Sequence, residues 1–200
     1  RTRATFPVGF KNNEERMSNP VKPYLGVMPV IEEDVFIADT AAVIGNVKIG
    51  SESSVWYNCV IRGDAGSFIE IGERVNIQDG TVIHINGPRE DGSTHMPTII
   101  GSDITIGHSA LIHACTLESE CFIGMRSVVL DGAIVETGAM VAAGAVVSPG
   151  KVVKSGELWA GIPAKPLRKL REEELNYWPE SVRTYCLLAA NHIKSGNSKS

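Results

Sequence analysis

Aliphatic residues recur every six positions along most of this chain, and no other feature restricts its fold so tightly. Ile31, Ile37, Val43, Ile49, Val55 and Ile61 keep the spacing strictly. The phase returns at Ile71, Ile77 and Ile83 after four extra residues, and again at Ile100, Ile106 and Ile112. One residue is then dropped, and Leu117, Ile123, Val129, Val135, Val141, Val147 and Val153 continue the series. An amphipathic α-helix repeats about every 3.6 residues and a half-buried strand every two, so neither accounts for a period of six. A period of six, sustained this long, is the mark of a repeat architecture in which each unit buries its apolar side only by stacking on the next.

A second regularity lies four residues after each aliphatic, where the residue is usually small or β-branched. Ala41, Val47, Ser53, Cys59, Ala65, Val75, Thr81, Ala110, Thr116, Cys121, Ser127, Ala133, Ala139 and Ala145 hold these places. One large and one small inward position per hexad suit a narrow triangular core. Each hexad then forms one side of a triangle, three hexads form a coil, and coils stack as parallel strands about 4.8 Å apart. The expected fold is an all-β solenoid, a left-handed parallel β-helix over 21–160, interrupted by a polar loop at about 85–97 and followed by a turn and helical tail over 161–200. In the tail, Leu167, Leu170 and Leu175 fit one stripe. Val182, Tyr185, Leu188, Ala189 and Ile193 fit a second, with Pro179 as the break between them and fraying beyond Ser195. Residues 1–20 read as a disordered leader. Met17 resembles a natural start, which makes the preceding sixteen residues an added extension or the remnant of an organelle presequence.

Charge and composition exclude some classes of function. The net charge of −4 and the absence of a Lys/Arg block argue against a nucleic-acid surface. No apolar run approaches the roughly 20 residues needed to span a membrane. The four cysteines, Cys59, Cys115, Cys121 and Cys186, show no C-x-x-C spacing and read as reduced thiols, which fits a cytoplasmic chain or, alternatively, one of the mitochondrial matrix. Cys59 and Cys121 fall in small inward positions and read as core.

The hexad register places the histidines. His84 and His113 each follow an inward isoleucine by one and lie 29 residues apart, one 18-residue coil plus an 11-residue loop insertion. Arg62 stands in the same column one coil earlier. His108 follows Ile106 by two and belongs to the adjacent side, with Asp79 stacked beside it and Gln78 next to Asp79. Adjacent sides of a prism diverge, so the three histidines meet only if the His84/His113 side of one chain faces the His108 side of another. A contact of that kind is heterologous and closes into a ring; for a triangular prism the ring is a homotrimer with three metal sites. Any one of these histidines alone is more simply a solvated or packing residue; three of five in one consistent register favour metal. His95 and His192 keep the simpler reading. Three imidazoles and an open position are the catalytic rather than the structural zinc arrangement, and imidazole also suits Fe2+ or Co2+. No organic cofactor site is read.

Taken together, Arg62-Gly63-Asp64, Asn76-Ile77-Gln78-Asp79-Gly80, His84, and His108 followed by His113 resemble the γ-class carbonic anhydrases. The resemblance runs from about Lys22 to the end of the tail. It implies that His84, His108 and His113 bind the metal, zinc first among candidates, and that a metal-bound hydroxide at the trimer interface converts carbon dioxide to bicarbonate. It implies that Gln78 orients that hydroxide or bicarbonate, with Asn76 supporting it and Arg62 helping to hold bicarbonate. Arg62 and Asp64 would form an ion pair across the interface, with Asp79 in the same polar network. One departure stands out: Ala65 and Gly87 occupy places where the most active members carry proton-shuttling glutamates, so the resemblance implies weak activity or proton transfer left to buffer. Glu90 and Asp91 lie in the same loop at other positions. The rival readings are a hexapeptide-repeat acyltransferase, a trimeric scaffold subunit of the respiratory complex I type, and a metal-dependent hydrolase of another small substrate.

Overall fold

The six-residue period closes into a triangle. In the computed structural model, which describes residues 19–87 and 95–196, three parallel sheets wrap one core as a left-handed β-helix. The first face stacks seven strands, Val21–Lys22, Ala42–Gly45, Val60–Gly63, Val82–His84, Leu111–His113, Val128–Val129 and Val146–Val147. The second face runs from Val30–Ile31 to Val152–Val153, and the third from Phe36–Ile37 to Glu157–Gly161. The leader before Asn19, the acidic pair Glu90 and Asp91, and the end of the tail beyond Gly196 lie outside the described residues.

Each face buries one column of large aliphatics. Val43, Ile61, Ile83, Ile112, Val129 and Val147 line the first, all without solvent exposure. Their strands pair in register, Ile83 opposite both Ile61 and Ile112, so every coil donates to and accepts from its neighbours. The small positions hold polar residues only where these are satisfied. Ser53 donates to the Gly72 carbonyl and Thr81 to that of Gly107, and no side-chain polar atom buried among the described residues lacks a partner. At many corners the third residue after the large aliphatic has positive φ, as at Arg74 (52°), Ser109 (59°) and Gly132 (67°), which is why glycine takes over this place in the last coils. The glycines directly after the aliphatics act differently: a Cβ on Gly72 would stand 2.7 Å from the Gly101 carbonyl of the next coil.

Two inward positions differ from the sequence expectation. Ala65 is half-buried in an inserted corner and Ile69 takes the inward place, opposite Val47 and Thr98. Thr116 points outward and Cys115 is buried instead, because the dropped residue falls before it. At the end of the solenoid, Trp159 sits six residues after Val153, pairs with Val141 and closes the third column.

The tail departs from the two-stripe reading. Leu167 and Leu170 are not helical: Ala164–Lys169 folds back antiparallel on Glu157–Gly161. One helix, α1, spans Glu172–Lys194 with Pro179 inside it rather than breaking it. Burial of Trp178, Val182 and Ala189 against the third face stabilises the helix on both sides of the proline and offsets its missing hydrogen bond. Leu188 and Ile193, expected on the buried stripe, are exposed. Near its end, His192 packs among Phe36, Trp56 and Tyr57, with the Tyr57 hydroxyl 3.3 Å from Nδ1. At its start, Glu174 accepts from the Arg171 N–H (2.8 Å) and from both arms of the Arg168 guanidinium (2.7 and 2.6 Å). No helix among the described residues is long and apolar enough to cross a membrane.

Two outcomes follow from this packing. Burial pushes the Cys59 and Cys115 thiols up to about 12 and Cys121 higher still, while Cys186 is only half-buried. Titration of the native protein with a chromogenic disulfide should label Cys186 first and the other three only on unfolding. The hydrogen bonds from Arg168 hold the Glu174 carboxyl down at about 2 against an ordinary 4.5. Its stabilisation is therefore complete above the ordinary value and is lost as pH falls toward 2. Glu174→Gln should melt below wild type at pH 7, with the gap closing between pH 4 and pH 2 when unfolding is followed by circular dichroism.

Candidate metal centre

The hexad breaks three times, and each break is at the corner between the first and second faces. The step from one inward residue to the next across this corner is four residues at Val43–Val47 but eight at Ile61–Ile69, fifteen at Ile83–Thr98 and three at Ile112–Cys115. Extra or missing backbone cannot enter the ladder, so it leaves at the corner and gathers polar side chains there. The loop is clamped where it leaves, by Asn86 and Met96 exchanging backbone hydrogen bonds of 3.1 and 3.2 Å. Thr98 Oγ1 closes the gap, donating to the His84 carbonyl (2.5 Å) and accepting from the Ala114 N–H (2.9 Å).

Arg62, His84 and His113 stack at this corner on successive coils as expected, with His84 opposite Arg62 on one side and His113 on the other. Arg62 holds Asp64 through Nη1, at 2.7 and 2.5 Å from the two carboxylate oxygens, within one chain. Asp64 Oδ1 in turn lies 3.1 Å from His84 Nε2. His113 Nδ1 lies 2.5 Å from Asp131 Oδ1, and Asn86 Nδ2 donates to Asp131 Oδ2 at 2.7 Å. Asp131 and Asn86 were missed in the sequence; Asn86 opens the insertion, while the dropped residue puts Leu130, not Asp131, in the His113 column and so hides the contact.

An ionised carboxylate only accepts, so His84 carries its proton on Nε2 and His113 on Nδ1. The nitrogens left without a proton, His84 Nδ1 and His113 Nε2, face each other at 3.3 Å. Two lone pairs across that distance need a cation between them, either a proton on one ring or a metal ion. A tetrahedral metal with Zn–N bonds of about 2.0–2.1 Å sets two ligand nitrogens about 3.3–3.4 Å apart. The pair therefore fits a zinc-class ion. Burial is the main influence lowering the His84 pKa, helped by the nearby Arg62 and His113 and opposed by the Asp64 hydrogen bond, so this ring is held neutral, as a ligand must be. Burial alone would raise the Asp64 pKa, but hydrogen bonds from Arg62 and His84 outweigh it and keep the carboxyl below its ordinary value.

His108 is at the far corner of the first face, between the third and first faces, and the chain does not bring it to the other two. No group of three potential ligand side chains converges among the described residues. Its side chain is 42% exposed, and Nδ1 lies 3.0 Å from Asp79 Oδ2. Gln78 and Asn76 sit behind it, 5% and 2% exposed. Gln78 Nε2 donates to Asn76 Oδ1 (3.1 Å), and Asn76 Nδ2 donates to Thr105 Oγ1 (2.9 Å), which meets Ser181 Oγ of α1 at 3.1 Å. Gln78 and His108 share a cavity of about 340 Å³ with Phe122, Met140, Tyr177 and Tyr185.

The family profile described as bacterial transferase hexapeptide (six repeats) matches residues 28–63. Gamma carbonic anhydrase 2, mitochondrial, of Arabidopsis thaliana is 48% identical over 172 residues, 86% of this chain and 61% of its own length. The chain thus spans about three fifths of that plant relative. A carbonic anhydrase of Geobacillus kaustophilus is 44% identical over 165 residues, 82% of this chain and 86% of its own length. Among solved structures, a hexapeptide transferase family protein from Anaplasma phagocytophilum has a TM-score of 0.79 at 48% identity, covering 86% of this chain and 97% of that one.

Asn76 is the hinge of the buried polar chain. Asn76→Ala leaves the Gln78 amide and the Thr105 hydroxyl short of a partner and should lower stability by about 1–3 kcal/mol, read from urea unfolding of metal-free protein.

Proposed function

The chain belongs to the γ-carbonic anhydrase family of hexapeptide-repeat proteins, and on that premise we propose that it acts as a homotrimer that binds a divalent metal at each interface and hydrates carbon dioxide reversibly to bicarbonate. The observation that carries this reading is the pair of ring nitrogens, His84 Nδ1 and His113 Nε2, facing each other 3.3 Å apart, with His108 exposed at the opposite corner of the same face. In a ring of three copies, one chain's His84/His113 corner meets the next chain's His108 corner, and all three contacts are equivalent. Zinc is the first candidate and iron or cobalt the alternatives. A metal held there would supply Lewis-acid activation of water near neutral pH.

The chain's own residues do the rest. Gln78 gives one N–H to Asn76, which leaves its amide oxygen and second N–H to orient water or bicarbonate. Being nearly buried and braced through Asn76 and Thr105, it holds that orientation without paying rotamer entropy at each turnover. Arg62, already fixed by Asp64, presents positive charge beside the His84 column, where a bicarbonate anion leaves. The released proton has no side-chain carrier at Ala65 or Gly87, so it passes to buffer, and turnover rises with buffer concentration. The transferase reading shares the fold but has no use for the facing imidazoles. The mitochondrial address of the Arabidopsis relative supports a mitochondrial place for this chain.

Metal content of protein purified without chelator, together with stopped-flow carbon dioxide hydration, tests the proposal. Wild type should hold about one metal per chain, and His108→Ala should lose most of it along with hydration while remaining a folded trimer. A folded wild-type trimer that takes up no zinc, iron or cobalt in excess would sink the enzymatic reading and put the scaffold reading in its place.

A further inference from the structure

Each of the three histidines has its own carboxylate: Asp64 at His84 Nε2 (3.1 Å), Asp79 at His108 Nδ1 (3.0 Å) and Asp131 at His113 Nδ1 (2.5 Å). The first two also belong to the expected polar network of the interface. Asp131 does not. It lies on the coil after His113, at the corner where the chain drops one residue, and only its carboxylate connects it to the site. Its other oxygen accepts from Asn86 Nδ2 at 2.7 Å, and Asn86 is pinned by its backbone pairing with Met96 at the root of the loop.

We propose that Asp131, held by Asn86, is the positioning residue that fixes the tautomer and direction of His113, and so makes the base of the 85–97 loop part of the metal centre. The argument is geometric. Without Asp131, the His113 ring has no acceptor at Nδ1. It is then free to carry its proton on either nitrogen and to turn about its side-chain torsions. With the proton on Nε2, His113 would donate to His84 Nδ1 instead of facing it with a lone pair, and the pair would no longer bind a cation. Asn86 matters one step further out. Its amide occupies Oδ2, which leaves Oδ1 for the imidazole and stops the carboxylate from rotating. The loop root and the metal ligand are thereby joined through two side chains, although 45 residues separate Asn86 from Asp131. Carboxylates that orient ligand histidines in this way typically change metal affinity about 10–100-fold when removed.

This inference rests on the metal-binding reading, and the test separates the two. Zinc affinity is measured by competition with a chromophoric chelator on full-length wild type, Asp131→Ala, Asp131→Asn and Asn86→Ala. In parallel, long-range nitrogen–proton correlation spectra of the metal-free proteins report the His113 tautomer. Asp131→Ala should bind zinc about 10–100-fold more weakly and lose the single Nδ1-protonated form of His113. Asn86→Ala should show a smaller loss. Asp131→Asn should recover much of both, because its amide oxygen still accepts from Nδ1 and Asn86 can present its own oxygen to the new amide. Should Asp131→Ala fail to assemble, Asp131→Asn and Asn86→Ala decide: affinity and tautomer both unchanged in Asn86→Ala, or no His113 signal of the Nδ1-protonated form in Asp131→Asn, overturns the proposal. Wild-type affinity and tautomer in a folded Asp131→Ala overturn it as well. A wild type that holds no zinc defeats the metal reading, and the tautomer spectra still decide whether Asp131 orients His113.

Discussion

The coil-to-coil hydrogen-bond ladder is the constraint on which everything else rests. Between the ends of the three faces, each strand pairs in parallel with the strand one coil above and one below, and the pairing tolerates no slip. A shift of one residue would turn the inward isoleucines out. The ladder therefore transmits register over the whole length of the solenoid. His84 and His113 are neighbours because Ile83 and Ile112 are, and Gln78 stands beneath the His108 corner because Ile77 and Ile106 pair.

A ladder this rigid can build a site only where it is broken. The extra four residues, the extra eleven and the missing one are all placed at one corner, leaving the three faces continuous. The first insertion brings Asp64 against His84. The second supplies Asn86, and Asp131, at the same corner one coil on, reaches His113 with its side chain. The fixed parts of the scaffold set the separation of the two imidazoles, and the irregular parts set their protonation. The two facing ring nitrogens are held 3.3 Å apart, the separation that a shared proton or the proposed metal ion would bridge. The width of the first face separates His108 from the pair, so the proposed third ligand would come from another chain. In the proposed assembly the metal site is therefore complete only once the chains have met.

The terminal helix has a different relation to the solenoid. It covers the third face, where the polar chain from Gln78 through Asn76 and Thr105 ends on Ser181, and its Tyr177 and Tyr185 line the cavity shared with Gln78 and His108. Its own sequence is a mediocre helix signal, with Pro179 in the middle. Burial of Trp178, Val182 and Ala189 and the aromatic cluster around His192 hold it in place.

The sequence by itself determined the solenoid, because a period of six leaves room for one architecture, and it determined which side chains share a column, because the ladder converts spacing into position. Arg62, His84 and His113 in one column, and His108 apart from them beside Asp79, were legible for that reason. Tertiary structure decided what happens where the period fails. Ile69 rather than Ala65, and Cys115 rather than Thr116, face the core, since spacing says that residues were inserted or lost but not on which side of the corner. The continuity of the helix through Pro179 and the pairing of Asp131 with His113 were likewise settled by packing. Both depend on contacts between segments whose separation no short period encodes.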